Sequence, residues 1–365
     1  MNPLRLLRRS FDHGVHPAHL KEQTADLPIQ RVPFVNRYLM PLGQHIGAPS
    51  RAIVTVGERV RRGQKIADAT AFVSTTLHSP VTGWVRKIEG FRSMDGSFAP
   101  AIEIEADPYA TQQEERGDPL PWQSLSIEEF IAAVQEAGIV GMGGAAFPCH
   151  VKFSIPDGLK IRYLLVNGAE CEPYLTNDHR LMLERPDDLL QGAEIVRRKI
   201  GAEETVIGVE VNKPDAIEIL RRHVKPDQSV RIVPLQVKYP QGAEKMLIKS
   251  IFDREIPAGL LPRDVEVNVN NVGTIIAIFD YFERAIPLIE RIVTVAGPGA
   301  AYPANLIVPL GTPVREVLRF CGGLKEETRE VIMGGPMMGR PIASLDVPIL
   351  KGSSGILAFT EAETA

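Results

Sequence analysis

Cysteine is scarce in this chain of 365 residues, and its distribution excludes two kinds of site. Cys149, Cys171 and Cys321 lie far apart, and no two of them form a C-x-x-C pair. A disulfide framework needs paired cysteines, and a structural zinc site needs clustered Cys and His ligands. We therefore predict no metal site within these residues and a reducing, cytoplasmic setting.

Long apolar runs and a strong net charge are also missing. The longest uninterrupted apolar run, 275–279, is far shorter than the roughly 20 residues of a transmembrane helix. The formal net charge of −4 gives no general reason to expect nucleic acid as a partner. The residues are 44% hydrophobic and 24% charged, which is typical of a globular protein, and the length predicts about two or three domains.

Glycine, by contrast, is concentrated in one stretch. Residues 138–148 hold four glycines within seven positions, and a helical pattern from Ser126 to Ala137 precedes them. Glycine-rich backbone can approach an anion closely through its N–H groups. The stretch lacks the Gly-Lys-Ser/Thr of a Walker loop, and a helix stands where a dinucleotide-binding fingerprint requires a strand. Phosphate binding and an ordinary loop are both open interpretations of this spacing.

Helical and strand-like segments alternate between residues 124 and 290, which predicts a central parallel α/β sheet. The predicted strands cover 161–166, 205–211 and 230–235, and the predicted helices cover 186–200, 215–223 and 245–251. Ligands of such sheets bind beyond the carboxyl ends of the strands. Polar residues occur at two strand ends, namely Asn167, Glu170 and Glu172 after the first strand, and Asn270, Asn271 and Thr274 where a later strand meets a helix. Solvated carboxylates and an ordinary capped helix are equally open interpretations.

Smaller β-rich modules are predicted on both sides of the α/β region. The glycine and valine spacing of residues 35–107 resembles the lipoyl/biotinyl hammerhead, although its tip, 71–75, has no lysine to carry a prosthetic group. Residues 291–345 contain strand-like segments at 292–296, 304–308 and 330–333 and a helical segment at 312–321. We predict an irregular arm for residues 1–34 and a polar tail without a regular element for residues 346–365. The predicted fold class is therefore multidomain α/β.

Four motifs in a fixed order make the sequence similar to a known family. They are the glycine stretch with Phe147 and Lys152, the segment 167–173, the turn 242–245 and the segment 270–274. This order resembles the flavin-bearing NADH-dehydrogenase subunit of respiratory complex I. It resembles the RnfC subunits of the Rnf-type ion-translocating electron transport complexes still more closely, because segments 14–17, 44–49 and 334–339 match as well. The third module then resembles the β-grasp SLBB domain.

The resemblance implies FMN and NAD(H) as ligands and assigns positions to them. The residues implied to contact FMN are Gly141, Gly143, Gly144, Ala145, Lys152, Asn167, Glu170, Asn270, Asn271 and Thr274. The residues implied to hold the adenine and ribose of NADH are Phe147, Glu172 and Glu244. No side chain is expected to act as acid or base, because hydride passes directly from nicotinamide to flavin while Glu170 and Glu172 position the transfer.

The sequence also departs from the family pattern. Complex I has acidic residues at the positions of Ala169 and Ala243, and Ala146 stands where glycine is commoner. Family members normally continue into two cysteine-rich runs that ligate [4Fe–4S] clusters, whereas this sequence stops at Ala365. The resemblance therefore predicts a truncated or cluster-less form, with [4Fe–4S] clusters expected only in a missing C-terminal segment.

The function implied by the resemblance is that of an NADH:FMN oxidoreductase subunit of an ion-translocating ferredoxin:NAD⁺ oxidoreductase complex. The expected location is peripheral, on the cytoplasmic side of the bacterial inner membrane. The expected partners are NADH, the membrane subunits of the Rnf-type complex and an iron–sulfur subunit. Two alternatives stay open: a non-catalytic scaffold with a vestigial flavin site, and a cobalamin-related oxidoreductase of similar modular build.

Overall fold

A computed structural model describes residues 9–113 and 118–364 of the chain. Residues 1–8 of the predicted arm lie outside this part. Within it, no helix combines the length and the apolar composition that crossing a bilayer requires. Three sheet-containing modules follow one another along the chain, and the arm in front of them contributes a short strand, β1 (Ile29–Arg31).

The first module is built from two small antiparallel sheets. Its strands are β2 (Arg37–Pro41), β3 (Arg51–Ala52), β4 (Arg59–Val60), β5 (Lys65–Asp68), β6 (Leu77–His78), β7 (Gly83–Arg92) and β8 (Phe98–Ala106). One sheet has the order β2-β8-β7-β4 and the other the order β3-β5-β6. Tyr38, Ile66 and Ile104, which come from both sheets, are fully buried and belong to one hydrophobic cluster. The β-rich character predicted for this region is confirmed.

The central module has a four-stranded parallel sheet covered by helices. Its elements are α1 (Ile127–Glu136), β9 (Tyr163–Gly168), α2 (Asn177–Glu184), α3 (Pro186–Lys199), β10 (Glu204–Glu210), α4 (Pro214–His223), β11 (Val230–Leu235), α5 (Glu244–Phe252), β12 (Val267–Asn271) and α6 (Val272–Arg284). Helix α1 begins where Ser126 and Glu129 form a reciprocal capping box. On the inner side of this helix, Phe130 stacks on Phe282 with ring centroids 5.2 Å apart. The parallel α/β core predicted from the alternation is confirmed.

The strand order of this sheet determines where a ligand can bind. The order is β11-β10-β9-β12, so the chain first builds outward from β9 and then returns to its other side. At such a topological switch point the neighbouring loops diverge and leave a crevice beyond the carboxyl ends of the strands. Asn271 of β12 lies directly opposite Asn167 of β9 at this edge.

The third module is a six-stranded mixed sheet. Its elements are β13 (Glu290–Ala296), β14 (Ala304–Pro309), α7 (Val314–Phe320), β15 (Thr328–Met333), β16 (Arg340–Pro341), β17 (Gly355–Thr360) and α8 (Glu361–Thr364). The order is β1-β14-β13-β17-β15-β16. Strand β1 of the arm pairs in parallel with β14, so the arm completes one edge of this sheet.

Two sequence-based expectations are corrected by these elements. The tail predicted for residues 346–365 contains β17, which lies between β13 and β15. Residues 356–359 are apolar and buried, as expected of an interior strand covered on both faces, so they show no alternation that would reveal a strand. Helix α2 was not predicted, although its residues Asp178 and His179 connect Asn271 to Glu170 in the candidate site.

A buried lysine joins the third module to the other two. Lys351 is fully buried, and its Nζ donates to Thr75 Oγ1 at 3.0 Å, to Thr76 O at 2.6 Å and to Gly138 O at 2.6 Å. Thr75 is the last residue of the tip of the first module, Thr76 follows it, and Gly138 begins the glycine stretch. Burial lowers the pKa of Lys351 from 10.5 to about 7.

This lysine should make stability depend on pH. Between about pH 7 and pH 10.5 the unfolded chain binds a proton at Lys351 that the folded chain does not, so its contribution to the free energy of unfolding rises with pH. We expect Lys351→Met to show a flatter rise than the wild type in urea unfolding across this window. Lys65→Met, at an ion-paired lysine about one-third exposed, is the control. Equal slopes for wild type and Lys351→Met would contradict the assignment.

Candidate functional site

The glycine stretch lies over the start of α6, at the carboxyl edge of the sheet. Thr274 fixes it there, because its Oγ1 accepts a hydrogen bond from Met142 N at 2.9 Å and donates to Val140 O at 3.2 Å. At the next position, a methyl group on Gly143 would meet Asn271 Cβ only at 3.9 Å. The glycine stretch and the end of β12 therefore face each other with little side chain between them.

The stretch itself forms a closed loop with an open apex. Gly141 N donates to Phe147 O at 2.7 Å at its base, and Val140 and Pro148 form an isolated β-bridge. The apex, residues 143–145, is exposed, and its three amide groups donate to no acceptor in the described parts of the chain. Gly144 has a φ of 112° and Ala146 a φ of 49°, a left-handed conformation that costs a non-glycine residue about 1–2 kcal/mol. Consecutive free amides in such a turn can hold an anion.

A chain of hydrogen bonds connects the ends of β9 and β12. Asn271 caps α6 by accepting from Gly273 N at 2.8 Å, and its Nδ2 donates to Asp178 Oδ2 at 2.6 Å. Asp178 N in turn donates to Glu170 Oε1 at 2.6 Å, and His179 N donates to Glu170 Oε2 at 3.3 Å. Glu170 thus receives the first amides of α2, where the helix dipole favours a carboxylate.

Burial changes the protonation of these acids. The pKa of Glu170 is raised from 4.5 to about 7, because burial outweighs the opposing charge of Lys21. Burial likewise raises the pKa of Asp178, although Asn271 and the charges of Arg291 and Lys213 oppose the shift. Two buried carboxylates joined through one amide group therefore titrate closer to neutrality than free acids do.

A second group of predicted residues lies around Lys152 and the start of α5. Lys152 donates to Glu244 Oε1 at 2.5 Å and to Val269 O at 3.1 Å. Asn270 lies near Lys152, because its Oδ1 accepts a hydrogen bond at 3.5 Å from Sγ of Cys149, three residues before Lys152. Asn167 joins the group through its Nδ2, which donates to Gly242 O at 2.8 Å, just before α5. Lys152 and Glu244 therefore form an ion pair at the edge of the crevice.

Glu172 is held by the third module. Its Oε2 accepts from Met337 N at 2.9 Å, whereas its Oε1 is buried and has no hydrogen-bond partner in residues 9–113 and 118–364. Gly335 packs against this carboxylate so closely that a methyl group there would overlap Oε2. Burial raises the pKa of Glu172. A buried acceptor without a donor is costly, so this oxygen is suited to receive a ligand hydroxyl.

The structure therefore distributes the predicted residues over three places. Glu170, Asn271, Thr274 and the glycine loop form one continuous group, Lys152, Asn167, Asn270 and Glu244 form a second, and Glu172 stands under the turn 334–339. Phe147 is partly buried at the base of the glycine loop.

Several polar residues at the site were missed by sequence reasoning. They are Lys21 of the arm, Asp178 of α2, Lys213 before α4, Arg291 of β13 and the backbone of Met337. Asp178 carried a signal, because it follows Thr176 and Asn177, which are good helix-starting residues. The others come from distant segments and carry no signature in their own surroundings.

Comparison with known protein families divides the chain into three matches. Residues 9–109 match the family described as the RnfC barrel sandwich hybrid domain. Residues 134–280 match the Nuo51 FMN-binding domain, and residues 292–341 match the SLBB domain. The candidate site lies mostly within the second match, and the turn against Glu172 lies within the third.

Curated proteins similar to this chain cover nearly all of it. The C subunit of the proton-translocating ferredoxin:NAD(+) oxidoreductase complex of Clostridium ljungdahlii is 45% identical over 353 residues, which cover 97% of this chain and 77% of that protein. The corresponding C subunit of the Na(+)-translocating complex of Acetobacterium woodii is 39% identical, with 96% and 80% covered. That of the ion-translocating oxidoreductase complex of Rhodobacter capsulatus is 41% identical, with 97% and 69% covered.

A solved structure shares the fold at lower identity. A chain of an NAD⁺-reducing [NiFe]-hydrogenase in the H₂-reduced state aligns with a TM-score of 0.53 and 22% identity, over 66% of this chain and 48% of that chain. At this identity the likeness concerns the fold alone.

Proposed function

The chain belongs to the RnfC family, whose members are subunits of the Rnf-type ion-translocating oxidoreductase complexes, and from this membership we propose that it exchanges hydride between NAD(H) and a bound FMN. The observation that carries the proposal is the glycine loop with its three free amides, held by Thr274 over the start of α6. Free loop amides and a helix N-terminus suit a phosphate-bearing ligand.

The residues at the crevice fit FMN. The apex amides of residues 143–145 and the N-terminal turn of α6 would hold the phosphate, and Lys152 would offset part of its charge. The small residues of the loop leave room for a flat ring to lie against backbone. Asn167 lies in the last part of β9 and Glu170 follows this strand, where polar groups can reach the edge of such a ring. When bound, FMN supplies the acceptor for a hydride from nicotinamide.

Other residues fit NADH. The unpartnered Oε1 of Glu172 would accept a ribose hydroxyl, and its other oxygen is already fixed by Met337 N. Phe147 would offer a face to adenine. Glu244 would receive a second hydroxyl after releasing Lys152. These contacts orient the nicotinamide and need no proton transfer from a side chain.

Hydride transfer delivers two electrons, whereas onward transfer through iron–sulfur clusters proceeds one electron at a time and normally requires four cysteine ligands for each cluster. The three separated cysteines of these 365 residues do not supply such a set. We therefore propose an iron–sulfur subunit or segment as the electron partner, and docking on the membrane subunits at the cytoplasmic face.

The test is flavin and nucleotide binding by the purified chain. FMN is added anaerobically, excess flavin is removed by desalting, and the visible spectrum is recorded during titration with NADH. We expect retained flavin absorbance that bleaches as NADH is added. Loss of FMN on desalting, together with no NADH binding at millimolar concentrations, would reject the proposal in favour of a scaffold role.

Replacement of Glu172 by alanine should separate the two ligands. Removing a charged acceptor costs about 1.5–3 kcal/mol, so NADH should bind about 10- to 100-fold more weakly while FMN affinity stays unchanged. The measurement is the NADH concentration that half-bleaches the flavin, beside an independent FMN dissociation constant. Glu203→Ala, at an exposed glutamate beside the amino end of β10, is the control. Loss of FMN with intact NADH affinity would contradict the role of Glu172.

A further inference from the structure

The N-terminal arm runs along the central module before it joins the third. Val15 and Tyr239 form an isolated bridge, and Tyr174 N donates to His19 O at 3.0 Å. Thr24 Oγ1 then lies 2.7 Å from Thr176 Oγ1. The arm is therefore packed directly behind the segment 169–176, which carries two of the acids of the candidate site.

Lys21 of the arm holds this segment through hydrogen bonds of its ammonium group. It is 8% exposed, and its Nζ donates to Glu170 O at 3.0 Å, to Glu172 O at 2.9 Å and to Leu175 O. The same atom lies 4.0 Å from Glu170 Oε2. One ammonium group thus donates hydrogen bonds to three carbonyl groups within the six residues 170–175, and it also faces the carboxylate of Glu170.

The backbone of this segment needs such a partner. Glu170 has a φ of 48° and Tyr174 a φ of 66°, so two non-glycine residues adopt the left-handed conformation within five positions. Turning the chain in this way points several carbonyl oxygens toward one centre, where they would repel one another without a cation. Lys21 supplies that cation through all three of its N–H groups.

We propose that Lys21 is a positioning residue for the nucleotide site, which holds the segment 169–175 in the conformation that places Glu170 at the start of α2 and Glu172 under the turn 334–339. This inference rests on the proposed function and adds to it a residue from outside the central module. Two hydrogen bonds then fix Glu172: Lys21 Nζ donates to its backbone carbonyl group, and Met337 N donates to its carboxylate.

The surrounding charges give Lys21 a second effect, on the protonation of Glu170. The titratable and charged groups that face this pair belong to several elements, namely Asp178 of α2, Glu210 of β10, Lys213 before α4, the thiol of Cys171 in the same segment and, through Asp178, Arg291 of β13. Among them, Lys21 is the strongest influence that favours ionised Glu170. Loss of its charge should therefore keep Glu170 protonated to higher pH.

The first experiment needs no ligand and compares two buried lysines. Lys238 is 5% exposed and also binds the arm. Its Nζ donates to Phe11 O, and it donates to His13 O at 2.9 Å. Hydrogen–deuterium exchange is measured on the 365-residue chain carrying Lys21→Met or Lys238→Met. We expect Lys21→Met to accelerate exchange in peptides covering 167–178 by about tenfold or more, while Lys238→Met affects the start of the arm alone.

Two outcomes of this comparison would overturn the proposal. One is unchanged exchange of 167–178 in Lys21→Met. The other is equal acceleration by both variants, because Lys21 would then serve only to dock the arm. If Lys21→Met does not fold, Lys21→Arg replaces it, since a guanidinium keeps the charge but cannot direct three N–H groups to one centre in the same way.

The second experiment measures FMN affinity against pH by quenching of flavin fluorescence. Lys21→Met should weaken FMN binding about tenfold or more and raise the midpoint of its pH dependence by about one unit or more. Lys21→Arg should return the midpoint toward the wild-type value. A weakened affinity with an unshifted midpoint would reject the charge effect on Glu170. If wild type itself binds no FMN, the proposed function fails, and the exchange experiment still decides the role of Lys21.

Discussion

Replacement of Gly192 by alanine is expected to lower the free energy of unfolding by about 2–3 kcal/mol. Gly192 lies in α3 where this helix crosses α6, and a methyl group there would overlap the carbonyl oxygen of Ile275 and approach its Cγ2 to 3.1 Å. The carbonyl belongs to the backbone of a buried helix, so it cannot move aside as a flexible side chain would.

The sign of this effect makes it a sharp test. Alanine in a helix interior is normally about 0.5–1 kcal/mol more favourable than glycine, so the intrinsic preference predicts stabilisation. Urea unfolding of Gly192→Ala shows whether the steric overlap or the helix propensity of alanine has the larger effect. Gly43→Ala, where a methyl group meets nothing within 4 Å, is the control and should be near neutral. A more stable Gly192→Ala would mean that α3 and α6 pack less closely than they do here.

Replacement of Asn271 by alanine is expected to damage both stability and flavin binding. It removes the cap of α6, worth about 1 kcal/mol, and leaves the buried Asp178 carboxylate without its amide donor, at a cost of about 1–3 kcal/mol. We therefore expect the free energy of unfolding to fall by about 2–4 kcal/mol. FMN affinity should fall by about 100-fold, because the start of α6 loses its cap and the link between α6 and the Glu170–Asp178 pair is broken.

Asn271→Asp separates the contribution of the helix cap from that of the amide donor to Asp178. Aspartate keeps an acceptor for Gly273 N but places a second carboxylate against Asp178, and two such groups resist simultaneous ionisation. The raised pKa of the pair means that the folded chain holds a proton which the unfolded chain releases, so stability relative to wild type should fall as pH rises. Unfolding measured at several pH values checks this. A pH-independent difference would indicate that Asn271 and Asp178 are not in contact.

Two helices and two strands show how much of the fold could be predicted from local sequence. Helix α1 was predicted because helical apolar spacing follows Ser126, a helix-capping residue, and β11 was predicted from the alternation of helical and strand-like segments. Helix α2 was missed although Thr176 and Asn177 are good helix-starting residues, and the amides at its start are received by Glu170, outside the helix. Strand β17 was missed because its sequence shows no alternation, and its partners β13 and β15 come from elsewhere in the chain.

For the candidate site, the sequence by itself determined the family, the glycine loop and the polar ends of β9 and β12, because these are short motifs whose chemistry lies within a few residues. Tertiary structure alone decided that Lys21 binds the backbone behind the acids, that Met337 fixes Glu172 from the third module, and that Asn270 contacts Cys149 while Asn271 contacts Asp178. These contacts join residues more than 90 positions apart in most cases. Such pairs leave no periodic or spacing signal in the chain, since each depends on how whole modules pack against one another.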